Sequence, residues 1–326
     1  MKMARRLFAF TGILLFLTIL VQCAPPEDNN GLEPINEIYV TNYYPDTLTV
    51  YSRTADGDSA PLRTISGVNP GFLDPWGIFV DRTHGEIFVV NQNLAEIRVF
   101  NRTDDGDVTP LRVIAGGSTG LSDPVGIALD AANNELFVSN LNNSVTVFGR
   151  IADGNVSPLR TLAGGSTGLA SPEGIALDTV NNELFIVNYG GSVTVYNITA
   201  SGDTAPLRYL TGASTGLSNP SGIAVDTVHD EIYVSNAGSD SITVYARTAD
   251  GDTAPIRTLS GPLTAFSQPL SIALDATNNE LFVANSIVNF SVTVHNRTDD
   301  GNIAPKRTIS GASTGLSQPY SLFVLP

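Results

Sequence analysis

Three observations in the sequence predict an all-β chain folded as a six-bladed β-propeller. A unit of about 48 residues recurs along the chain. Each copy holds four short strand signals separated by turns. The two ends of the repeating region carry complementary pieces of one unit.

The unit is plainest from Asp123, where it reads DPVGIALDAANNELFVSNLNNSVTVFGRIADGNVSPLRTLAGGSTGLA. The next copy begins at Ser171. A proline opens each unit, at Pro75, Pro124, Pro172, Pro220, Pro269 and Pro319. Four antiparallel strands in a repeat of this length are the signature of a propeller blade. In the unit from Asp123 the strands are predicted at 126–130, 135–140, 144–148 and 158–162. The first is rich in glycine and alanine, as in Gly126 and Ala128. Blades converge on the axis, so the innermost strand must be thin. An Asn-Asn pair separates the first two strands at 133–134, 181–182 and 278–279. His84-Gly85 and His229-Asp230 take its place elsewhere. Asn, Asp and Gly tolerate the positive φ that a tight hairpin needs.

The ends set the number of blades. The repeating region opens at 36–42, NEIYVTN, which is a second strand. It finishes at Pro319-Tyr320-Ser321-Leu322-Phe323-Val324, which is a first strand. The C-terminal strand is therefore expected to complete the N-terminal blade, one strand joining three. Five whole units and this shared one make six, and the closure leaves no unpaired seam.

Residues 1–22 have the shape of a signal peptide. Lys2, Arg5 and Arg6 precede a 15-residue apolar run at 7–21. That run is short for a membrane span, which wants about 20 apolar residues. Leu20-Val21-Gln22-Cys23 resembles a bacterial lipoprotein box, which implies lipidation at Cys23 and a membrane anchor in the cell envelope. A plainly secreted protein, or an uncleaved leader, is the other reading. Residues 23–35 form the anchor cysteine and a polar tether, and 36–326 the propeller. Cys23 is the only cysteine, so no disulfide can form within one chain.

Beyond the leader there are 14 basic and 32 acidic residues, a net charge of −18. Such a surface repels phosphate backbones, so nucleic acid is not an expected partner. Cations or basic ligands are more compatible, and a monomer is expected.

Units of the form Pro-x-Gly-Ile-Ala-x-Asp followed by an aromatic-Val-x-Asn strand resemble NHL-type propeller repeats. Tyr39-Val40-Thr41-Asn42 matches the YVTN signature of a related surface-protein repeat family. The resemblance covers 36–326. It implies the fold and carries no activity with it.

Residues repeated in every blade are expected to be joints. Asn42, Asn91, Asn140, Asn188, Asn236 and Asn285 end the second strands. Arg63, Arg112, Arg160, Arg208, Arg257 and Arg307 lie in the fourth. Asp81, Asp130, Asp178, Asp226 and Asp275 end the first. Hydrogen bonds within or between blades are expected from both charged sets. Acidic turns such as Asp105/Asp107 and Asp250/Asp252 flank a glycine. They suit turn chemistry better than Ca²⁺, which takes more oxygen ligands than two carboxylates.

Function is expected where the copies disagree. After the opening proline stand Trp76, Val125, Glu173, Ser221, Leu270 and Tyr320. After the strand-ending Asn stand Tyr43, Gln92, Leu141, Tyr189, Ala237 and Ser286. A channel mouth built from Trp76, Glu173, Tyr320, Tyr43, Gln92 and Tyr189 would be amphipathic, with one carboxylate. It suits a small polar or carbohydrate-like ligand, or a partner's loop, with no cofactor. An empty, solvated mouth is the plain alternative.

Catalysis has less support. His84, His229 and His295 fall outside the candidate mouth, and no Ser/His/Asp cluster converges. The chain is similar to gluconolactonase-type propellers, which hold a divalent metal such as Ca²⁺ at the axis. That similarity implies Glu173 with Asn140, Asn188 and Asn236 as metal ligands of a lactonase- or hydrolase-like enzyme. Streptogramin-lyase-like propellers are similar too, but use a histidine at the mouth.

Overall fold

The computed structural model describes residues 36–326. The leader, Cys23 and the tether lie outside the described residues. Among the described residues, twenty-four strands, β1 to β24 in chain order, form six separate four-stranded antiparallel sheets. In each later blade the strands run in chain order from axis to rim. Blade III is β8 (Pro124–Asp130), β9 (Glu135–Asn140), β10 (Ser144–Gly149) and β11 (Arg160–Ala163).

Blade I shows the predicted closure. Its order is β24 (Pro319–Leu325), β1 (Glu37–Asn42), β2 (Thr47–Ser52) and β3 (Arg63–Ile65). The C-terminal strand pairs antiparallel with β1, setting Tyr39 opposite Phe323 and Val40 opposite Leu322. The rim strand is shorter than the sequence predicts, starting at Arg160 rather than Pro158. Proline has no N–H to give to a ladder.

The core lies between neighbouring blades. Phe88, Val90, Ile97 and Val99 of blade II pack on Ile127, Leu129, Leu136 and Phe148 of blade III. Alternate strand residues face each side of a blade, so both faces are apolar and buried. At the closing seam, Ile38, Val40 and Leu322 pack on Phe282 and Val292.

The repeated polar residues are the joints. Each strand-ending Asn is fully buried. Asn140 donates through Nδ2 to Thr146 Oγ1, and its Oδ1 accepts the Ser122 N–H of the loop entering the same blade. Asn188 does the same with Thr194 and the Ala170 N–H, and Asn236 with Thr243 and the Ser218 N–H. The acidic turns staple one blade to the rim of the one before. Asp105 Oδ1 accepts the Thr64 N–H at 2.8 Å, and Asp107 Oδ1 that of Asn69 at 2.7 Å. A parallel bridge joins each such turn to the preceding rim strand, as between Ile65 and Gly106, all round the ring.

Both charged sets are engaged, with different partners. Each strand-ending Asp caps its own hairpin, as Asp130 Oδ1 accepts the Ala132 and Asn133 N–H groups at 3.1 Å. Each rim Arg makes a forked pair with the Glu opening the second strand of its own blade. Arg208 reaches the two oxygens of Glu183 at 2.7 and 2.8 Å. A second arginine then crosses from the following blade to the same carboxylate. Arg102 reaches Glu37, Arg150 Glu86, Arg247 Glu183, Arg297 Glu231 and Arg53 Glu280. At the joint between blades III and IV that position is Ile198, and Glu135 keeps only Arg160.

One joint residue is chemically out of place. At the third-strand position of His295, other blades carry Tyr51, Tyr196 and Tyr245. Their hydroxyls donate to loop carbonyls at 2.5 to 2.6 Å. His295 is fully buried, and neither ring nitrogen makes a hydrogen bond of ordinary geometry. Burial pushes its pKa down to about 4, although nearby Asp299 and the Thr264 backbone favour the charged ring. The ring is held neutral, as a core residue rather than a proton donor.

Candidate functional site

Each inner strand opens with a break in register. In blade III, Pro124 pairs with Asn140, but pairing resumes only at Ile127 opposite Val138. Similar breaks follow Pro75, Pro172, Pro220 and Pro269. A bulge frees the residue after the proline from the ladder and re-aims its side chain. The variable position predicted from sequence therefore sits in a bulge at the axis. Glycine follows it in four blades for a local reason. A Cβ on Gly126 would lie 2.3 Å from the Glu173 carbonyl oxygen of the next blade.

All six of these residues, Trp76, Val125, Glu173, Ser221, Leu270 and Tyr320, line one central cavity of about 440 Å³. Its walls are uneven. One step down the inner strands, blades III to VI present Ala128, Ala176, Ala224 and Ala273. Blades II and I present Phe79 and Phe323, in edge contact at 4.8 Å. Above them Trp76 lies 4.4 Å from Tyr320, and Tyr320 lies 4.6 Å from Tyr43, ring centre to ring centre. One side of the channel is thus aromatic and the other lined by small residues. Glu173 belongs to blade IV, three places round the ring from Tyr320 of blade I.

The second predicted ring is only partly recruited. Each of its residues donates its N–H to the residue before the opening proline, as Tyr189 does to Ser171 and Gln92 to Asp74. That bond ties the two loops of each blade together. Yet among the candidates only Tyr43 joins the cluster, through Tyr320. Gln92 starts a short 3₁₀ turn, Tyr189 is exposed, and neither lines the cavity. The asparagines of the metal reading lie inside the blades. The oxygens of Asn140, Asn188 and Asn236 accept loop N–H groups, so the geometry does not gather them with Glu173 round one point.

Several contributors were not singled out from sequence. Asp74 precedes Pro75 and hydrogen-bonds Tyr43 and Asn93. Burial and the charge of Asp46 raise its pKa. Burial raises the Tyr320 hydroxyl as well, with the charges of Asp74 and Glu173 adding to it. Phe79 and Phe323 were detectable by comparing copies, since each replaces an alanine. Asp74 was not, because Asp123 occupies the same place in the next unit.

This architecture is shared with solved structures. A chain in the crystal structure of a nidogen/laminin complex superimposes with a TM-score of 0.65 at 14% identity, over 89% of this chain and 98% of that one. A functionally unknown protein from Desulfotomaculum acetoxidans DSM 771 matches with a TM-score of 0.59, with the same identity and coverage. No family model matches the chain, and no curated protein does. At this identity the likeness establishes the fold alone.

Glu173 is the chemical centre of the cavity. Burial pushes its pKa up to about 7, against a weaker opposing hydrogen bond from Ser221. The folded state therefore holds this proton more tightly than the unfolded chain. Its contribution to stability is full below about pH 4.3, and is lost as pH rises towards 7. Glu173→Gln removes that loss. We expect the variant to match the parent near pH 4 and to exceed it by about 1–3 kcal/mol at pH 8. Urea unfolding at the two pH values measures this, and an equal difference at both would count against a desolvated carboxyl.

Proposed function

We propose that this chain is an exported, lipid-anchored propeller of the NHL/YVTN kind, whose channel mouth binds a small ligand or a partner's loop. The supporting observation is the central cavity itself. All six bulged positions where the blades disagree line it, while the invariant polar residues are occupied as joints. Selection for the ring alone asks for neither Glu173 nor the Trp76–Tyr320 pair. A concave cavity that sets apolar and aromatic side chains beside a few polar groups is the usual form of a small-molecule site.

Trp76 is the only tryptophan of the chain, so its fluorescence reports on the mouth. We expect a saturable change on titration with members of a panel of sugars, amino acids, amines and carboxylates. Tyr320→Ala should abolish it. A panel that leaves Trp76 unchanged, or a response indifferent to Tyr320, would contradict binding at the mouth. The anchor is checked by mass spectrometry of the mature N-terminus, where an unmodified Cys23 would refute lipidation.

A further inference from the structure

We infer that the mouth cavity takes a small organic ammonium ion, its charged head held between the Glu173 carboxylate and the rings of Trp76 and Tyr320. This rests on the binding role proposed above and adds the chemical class of ligand.

The first support comes from comparing glutamates. Eight lie among the described residues: 37, 86, 96, 135, 173, 183, 231 and 280. Seven pair with an arginine at 2.9 Å or less. Glu173 has only the Ser221 hydroxyl. Among the described residues that line the cavity there is no Lys, Arg or His. A carboxylate withdrawn from water without a counter-charge is costly; below about pH 7 a proton meets that cost, and above it a cation from outside would.

The second support is the surroundings. Trp76 and Tyr320 line the same cavity on the side across from the acid, and aromatic faces attract cations. Asp74 and Asp46 add negative charge behind Tyr43 and Tyr320. An anionic ligand would be repelled by all three carboxylates. A neutral sugar would leave the ionised form of Glu173, which prevails above about pH 7, uncompensated. A bare Ca²⁺ ion needs six to eight oxygens, and the asparagine oxygens of the metal reading are occupied by loop amides. An organic cation answers both features. Its charge meets the carboxylate, and its carbon skeleton meets the aromatic wall and the alanines below.

The test is titration of the full chain with choline and n-hexylammonium at pH 8, read by Trp76 fluorescence and calorimetry. Each is paired with a neutral counterpart of like shape, 3,3-dimethylbutan-1-ol and 1-hexanol. We expect at least one cation to bind 10-fold or more tightly than its neutral partner. Glu173→Gln should erase that preference, with the variant's folding confirmed by its own unfolding curve. Affinity should also fall from pH 8 to pH 6 as Glu173 gains its proton. Equal binding of cation and neutral partner, or a preference that survives Glu173→Gln, overturns the assignment. If neither cation binds but a neutral sugar saturates the Trp76 signal, the ammonium class fails and the binding role stands. If nothing saturates it, both fail.

Discussion

Deleting residues 319–326 is expected to abolish cooperative unfolding of the propeller. The segment is the innermost strand of blade I, and β1 pairs with it along its whole length. Without it, β1 becomes an unprotected edge facing the axis. Leu322, Val324 and Leu325 are buried, and each contributes about 1.5–3 kcal/mol by leaving water. Their loss also opens the seam with blade VI, where Leu322 packs against Phe282 and Val292. A total stability of about 5–15 kcal/mol does not survive such a change. Calorimetry should show no sharp transition. The lesion is one of closure, so moving the segment should repair it. Leu325 lies opposite Glu37, so a short hairpin can join residue 326 to residue 36 in a permuted chain. That permutant should regain a transition near the parent's. A truncated chain that melts like the parent would refute closure by the C-terminal strand.

Glu183→Ala, which removes a carboxylate shared by two arginines, is expected to cost about 2–4 kcal/mol. Breaking a buried pair costs more than the pair contributed, because the partner charge is left uncompensated. Glu183 serves two arginines, Arg208 in its own blade and Arg247 from the next, the latter at 2.5 Å. Arg247 keeps its contact with Asp230, which places the cost below the upper limit for buried pairs. Glu135→Ala is the internal control. Glu135 serves Arg160 alone and its side chain is about twice as exposed, 22% against 11%. Its loss should cost about 1 kcal/mol. Urea unfolding of both variants checks the contrast, and equal costs would mean that the cross-blade arginine contributes nothing.

The ring was legible in the sequence because its physics repeats. The opening prolines, the strand-ending asparagines and the glycine-centred turns, Asp-Gly-Asp in three blades and Asp-Gly-Asn or Ser-Gly-Asp in the others, each solve one local problem in every blade. The cross-blade arginines were not recognised, although Arg53, Arg102, Arg150, Arg247 and Arg297 also recur. Their partner Glu lies in another blade, and only the closed ring brings the two together. The mouth was legible in part. The position after each proline is found by alignment of copies, and the bulge turns it to the axis. The position after each asparagine varies equally, but backbone bonds hold it in the loops, and only Tyr43 reaches the cluster. Variation marks freedom from the fold's demands, whereas direction depends on bulges and turns that composition does not reveal.

A crystallographic fragment screen tests most directly the claim that function sits where the blades differ. Fragments are predicted to collect in the central cavity between Glu173 and the Trp76–Tyr320 pair, with amines foremost among them. Fragments scattered over the rim and outer turns, with the cavity holding only water, would contradict it.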